Sequence, residues 1–141
     1  MLVAVGATAC GGDDSSDLQD YEASVVETRN SVDDALTDIS EAQSRKQFLD
    51  RMEQAAVLIS RAADDLDDGK VAEGFEDETT DLTAALRTLS TDLEQTAAQF
   101  RQTPELFTTS AGLSFEGWTQ TNKILRALAK QDIAVEPIAN H

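Results

Sequence analysis

The amino-acid sequence predicts an all-α fold, an up-down antiparallel four-helix bundle with a flexible N-terminal tether. Three observations carry that expectation. Glycine (7) and proline (2) are scarce in 141 residues, too few for the many turns of a sandwich or barrel. The hydrophobic fraction is 40% with only 5% aromatics, mostly Ala and Leu, which suits helices and is too apolar for a disordered acidic chain. Apolar positions also recur in alternating steps of three and four over four separate stretches, the period of a buried helix face. The length fits one domain.

The first stretch runs Leu18, Tyr21, Val25, Thr28, Val32, Ala35, Ile39 and Ala42, a heptad seam with one polar member, Thr28. Ser44-Arg45-Lys46-Gln47 fits a capping box, in which Ser44 accepts from the Gln47 amide while Gln47 reaches back. A second helix is expected from there, although no Gly or Pro forbids one continuous helix through 44–47. Its seam is Phe48/Leu49, Met52, Ala55/Ala56, Ile59, Ala62/Ala63 and Leu66, and Gly69 is expected to end it in the left-handed conformation.

The third seam is Phe75, Thr79, Leu82, Leu86, Leu89, Leu93, Thr96 and Phe100. Glu76, Asp77 and Glu78 suit the positive end of its dipole, and Thr103-Pro104 should stop it. A loop over 104–113 precedes a fourth seam, Phe115, Trp118, Thr121/Asn122, Leu125 and Leu128, with Ser114 as the expected N-cap and Arg126 and Lys130 near the negative end. Residues 133–141 read as an extended C-terminal tail that lies along the bundle or frays. The bundle proper is thus expected over 17–132. No repeat of 20 to 50 residues is visible, so a solenoid is not expected.

Charge narrows the function classes. With 27 Asp+Glu against 11 Lys+Arg the formal net charge is -16, so nucleic acid is not an expected partner, because phosphate binding needs Lys and Arg. Polybasic adhesion to anionic lipid is disfavoured for the same reason. The acids cluster: residues 13–41 hold ten against Arg29, and residues 64–81 hold nine against Lys70. In an up-down bundle the start of the first helix and the turn around Gly69 share one end, which becomes the most negative.

Asp64, Asp65, Asp67 and Asp68 suggest at most weak cation binding. If Gly69 took loop position six, an EF-hand would need oxygen ligands where Leu66 and Phe75 stand. The one histidine is His141, so neither a Ser-His-Asp triad nor a histidine metal site can be assembled. Gly112-Leu113-Ser114-Phe115-Glu116-Gly117 lacks the spacing and preceding strand of a nucleophile elbow. No phosphate-cradling glycine loop followed by Lys-Ser/Thr occurs, and Asp33-Asp34 point in different directions from a helix. The chain is expected to be no enzyme and to need no cofactor. Trp118 and Phe115, with Leu106 and Phe107 of the preceding loop, are the candidate floor of a small apolar pocket or a partner contact, or else a core anchor closing one end of the bundle.

The N-terminus addresses location. Residues 1–9 are apolar and small and end against the single cysteine, Cys10, which is followed by Gly11-Gly12-Asp13-Asp14-Ser15-Ser16. As a helix the run spans roughly 14 Å, under half a bilayer core, so it cannot cross a membrane. It reads as the remnant of a secretory signal peptide, whose charged region an upstream start would supply.

Ala7-Thr8-Ala9-Cys10 resembles the bacterial lipobox, with Ala7 where Leu is usual, and the whole stretch resembles small lipoproteins of actinobacterial type. The resemblance covers residues 7–16 and implies cleavage before Cys10, a diacylglycerol on its sulfur and anchoring on the extracytoplasmic face of the cell membrane. Two acyl chains suffice for stable anchoring. Residues 10–16 are then the lipidated cysteine and a linker reaching about 20 Å at roughly 3.4 Å per residue. The expected function is a non-enzymatic structural or interaction module with an unknown protein partner at the cell envelope. The alternatives are a small-ligand-binding lipoprotein with its pocket near Trp118, and a cytosolic coiled-coil adapter in which residues 1–9 are accidental.

Overall fold

The computed structural model describes residues 12–105 and 115–139. Among them are four helices, α1 (Gly12–Ser40), α2 (Arg45–Asp68), α3 (Glu76–Gln102) and α4 (Glu116–Ala129), and no strand. Helix backbones pack in chain order, α1 on α2, α2 on α3 and α3 on α4, whereas the backbones of α1 and α4 stand apart. The all-α bundle is as expected. Its fourth side is built differently.

Period decides which faces are inside. Tyr21, Val25, Thr28, Val32, Ala35 and Ile39 of the first seam are all buried. Leu18 is not: it stays 39% exposed, because it precedes the level at which neighbouring helices supply apolar cover. On α2 the buried stripe is Leu49, Met52, Ala55, Ala56, Ile59, Ala63 and Leu66, and on α3 it centres on Leu82, Leu86, Leu89 and Leu93. Small residues let α2 and α3 approach closely enough for the Ser90 hydroxyl to donate to the Ala56 carbonyl at 2.7 Å.

Helix ends follow local chemistry. α1 and α2 are separate: Ser44 is extended and its hydroxyl accepts from the Gln47 amide at 3.1 Å. The reciprocal half of the capping box differs, since the Gln47 side chain accepts from Gln43 N rather than from the cap residue. Thr103, held out of the α region by Pro104, ends α3.

Three expectations are corrected. Gly69 is extended at φ -76°, and the left-handed residue of the α2–α3 turn is Gly74 at φ +89°, whose amide donates to the Glu76 carboxylate. α4 is capped by Phe115 without a side-chain bond; Ser114 lies outside the described residues. Asp92 of α3 accepts from the Gly117 amide at 3.1 Å, so a neighbouring helix supplies the acceptor a free helix start lacks. Finally, α1 begins at Gly12 rather than at residue 17, so residues 12–16 of the expected linker are helical.

Gly117 fixes the height of α4. A Cβ there would stand 2.2 Å from Leu89 N and 2.5 Å from its Cα, so only glycine allows the start of α4 to meet the midpoint of α3. Trp118 therefore sits halfway along the bundle, not at its end.

The segment 133–139 takes the side that α1 and α4 leave open. The chain reverses after α4 through Asp132, which is left-handed at φ 67°, with the Ile133 amide donating to Leu128 O at 3.2 Å. This is the outer bond of a Schellman closure, with an aspartate where glycine is usual. Ile133, Val135 and Ile138 are buried. The tail thus lies along the bundle, beside α1 from Glu22 to Asp33. Eleven helical residues rise about 16 Å, and the five steps from Ala134 to Ala139 cover about 17 Å when extended.

Candidate functional site

The end shared by the α1 start and the α2–α3 turn is the more heavily charged one. Lys70 pairs with Asp17 and ties that turn to α1. Nearby, Tyr21 is fully buried and its hydroxyl lies 2.8 Å from Thr79 Oγ1. Thr79 gives its only proton to Phe75 O, so Tyr21 is the donor in this relay. Burial pushes the Tyr21 phenol up from its ordinary value, and Glu78 and Glu76 push the same way. The ring also lies 5.3 Å from that of Phe75.

The aspartates of the acidic turn have an internal counter-ion. Arg87 reaches across from α3 to Asp64 at 3.0 Å and Asp67 at 3.2 Å, and these two bonds, Asp64 first, hold its guanidinium above its usual range. Among the described residues no group of three metal-ligating side chains converges. At the opposite end Arg101 bridges Asp50 and Glu53. Bonds from Lys46 and then Arg101 hold the Asp50 carboxyl below its usual range.

Trp118 and Phe115 are half-buried and pack on the core. Leu106 and Phe107, expected to complete a pocket with them, lie outside the described residues, as do Ala7, Thr8, Ala9 and Cys10. A surface cavity of about 290 Å³ instead opens between α1 and α2, lined by Ser24, Glu27, Thr28 and Ser31 on one side and Ala62 and Asp65 on the other. It accounts for the polar break in the α1 seam: Thr28 is buried but borders this acceptor-rich hollow. On the outer face of α2, Val57 and Leu58 are 54% and 47% exposed, flanked by Glu53 and Arg61.

The most elaborate polar construction is the one holding the tail. Arg29, the single cation among the acids of residues 13–41, donates through Nε to Glu136 O at 3.2 Å and through Nη2 to Pro137 O at 2.8 Å, while Asp33 lies 3.5 Å from its Nη1. Asn122, only 1% exposed, accepts from Ile138 N at 2.7 Å and donates to Ile138 O at 3.2 Å. Glu22 and Asp33 accept from the amides of Ala134 and Ala139. Two signals in the sequence pointed here without being read: a lone arginine in an acidic run, and an asparagine in an apolar seam, where a buried amide specifies one partner.

No protein-family model, no curated protein and no solved structure matches this chain.

Proposed function

We propose that this chain is a non-enzymatic lipoprotein, anchored through Cys10 to the extracytoplasmic face of the cell membrane and serving as an interaction module at the cell envelope. The observation that carries the proposal is Ala7-Thr8-Ala9-Cys10 followed by a Gly, Asp and Ser run. No described helix is long and apolar enough to cross a membrane; attachment in this reading comes from the acyl chains, at about 0.8 kcal/mol per buried methylene.

α1 begins two residues after Cys10, which holds the body close to the bilayer instead of about 20 Å away. The end bearing Asp17 and Lys70 would face the membrane, and its acids keep anionic headgroups at a distance. The exposed Val57–Leu58 pair supports the interaction role, since an apolar surface rimmed by charge is a common partner contact.

Metabolic labelling with a fatty-acid analogue tests the anchor. Label should enter the native protein and be lost from Cys10→Ala. Incorporation unaffected by the substitution, or absent from both proteins, overturns the proposal.

A further inference from the structure

The furrow between α1 and α4 holds residues 133–139 chiefly by their main chain. Most of its bonds reach the backbone of residues 133–139 rather than their side chains: Arg29 takes two carbonyls, Asn122 takes both polar groups of Ile138, and Glu22 and Asp33 each take an amide. Reading an extended main chain this way gives affinity that depends little on sequence, while pockets for alternate side chains add specificity. Here those side chains are Ile133, Val135 and Ile138, each at least nine-tenths buried.

From this the geometry points to exchange of residues 133–139 between two copies of the chain, each furrow accepting the segment of the other. Three features favour a second copy as occupant. The identical segment is complementary to the identical furrow, so the hydrogen bonds and apolar packing broken on release form again after exchange. The backbones of α1 and α4 stand apart, so a furrow left empty would expose the apolar surface beneath the segment and strand the Asn122 amide in it. In addition, the segment is turned back by the single residue Asp132, left-handed at φ 67°, a conformation disfavoured for residues with a side chain although aspartate bears it better than most. Straightening the turn removes that strain, and a short strained hinge is a recognised route to exchange. In the native chain the short turn keeps the segment at an effective concentration of about millimolar, so single copies prevail below it.

Asp132→Pro tests this, because proline holds φ near -65° and biases Gln131 away from the helical region, so the turn cannot close. Light scattering should find the native chain at single-copy mass at about 10 μM, well under the effective concentration of the closed turn. Asp132→Pro should show double mass with native helical circular dichroism, thiol reductant being present so that Cys10 forms no bridge. Excess synthetic peptide of residues 133–139 should return the variant to single mass, as should adding Asn122→Ala. If Asp132→Pro loses its helical signal, deletion of Lys130 and Gln131, which shortens the turn, carries the same expectations. A helical variant that stays at single mass overturns the inference. So does a double mass that neither the peptide nor Asn122→Ala reduces.

Discussion

The α2–α3 pair and the α1–α4 side hold the same bundle together by different physics. Between α2 and α3 the contact is a continuous stripe of Leu, Ile, Met and Ala, reinforced outside by Arg87 and Arg101. On the other side the α1 and α4 backbones stand apart, and an extended segment between them is fixed by directional bonds from Arg29, Asn122, Glu22 and Asp33. Apolar burial is non-directional and tolerates exchange of similar side chains. The bonded side depends on a few atoms that cannot be moved, so removal of one should act locally on the strap and leave the α2–α3 packing in place.

The largest effect is expected where the two systems meet. Gly117→Ala places a Cβ on the Leu89 backbone and should cost about 3 kcal/mol or more, since α4 must be displaced with the strap it carries. Thermal unfolding would show this as a large drop in Tm. A drop as small as that of an ordinary surface substitution would mean that α4 does not lie where Gly117 puts it.

Ile59→Ala, in the fully buried stripe of α2, should cost about 2 to 5 kcal/mol. It should lower protection of every slowly exchanging amide together, as a cooperative core does.

Asn122→Ala should cost about 2 kcal/mol by leaving the polar groups of Ile138 buried without their partner. Hydrogen exchange distinguishes the two sides: the Ile138 amide should lose protection while those of α2 and α3 keep most of theirs. Uniform loss would remove the contrast between the regions.

The relay from α1 to α3 gives a smaller, pH-dependent effect. Tyr21→Phe should cost about 1 kcal/mol by removing the hydroxyl bond. Because the folded phenol is raised above its ordinary value of 10.0, the folded state retains its proton where the unfolded chain has lost it. Native stability should therefore fall as pH rises past about 10, and denaturant melts should show that fall reduced in Tyr21→Phe.

The smallest change is expected at the outer clamp. Arg101→Ala removes exposed ion pairs with Asp50 and Glu53 and should lower stability only slightly, less in high salt. An unfolding titration at two salt concentrations measures both.

Much of the fold was legible because burial leaves a period in the sequence. The spacing of Leu82, Leu86, Leu89 and Leu93 states the inner face of α3, and Ser44 with Gln47 marks the start of α2. The acidic end was also readable, since chain direction alone brings the start of α1 to the α2–α3 turn in an up-down bundle. The candidate sites were less legible. Thr28 was visible as a polar break in the seam, but the hollow it borders exists only because Ala62 and Asp65 of α2 stand opposite.

Residues close together along the chain settled the all-α class, the buried helix faces and the uneven charge, while the separation of α1 from α2 stayed open. Only the tertiary structure decided that Gly117 is a contact point, that Asp132 rather than a glycine turns the chain, and that residues 133–139 stand in for α1–α4 packing. The first and the last of these depend on atoms tens of residues apart. Arg29 meets Pro137 across 108 positions, and no local period can announce a bond whose two halves share no repeat.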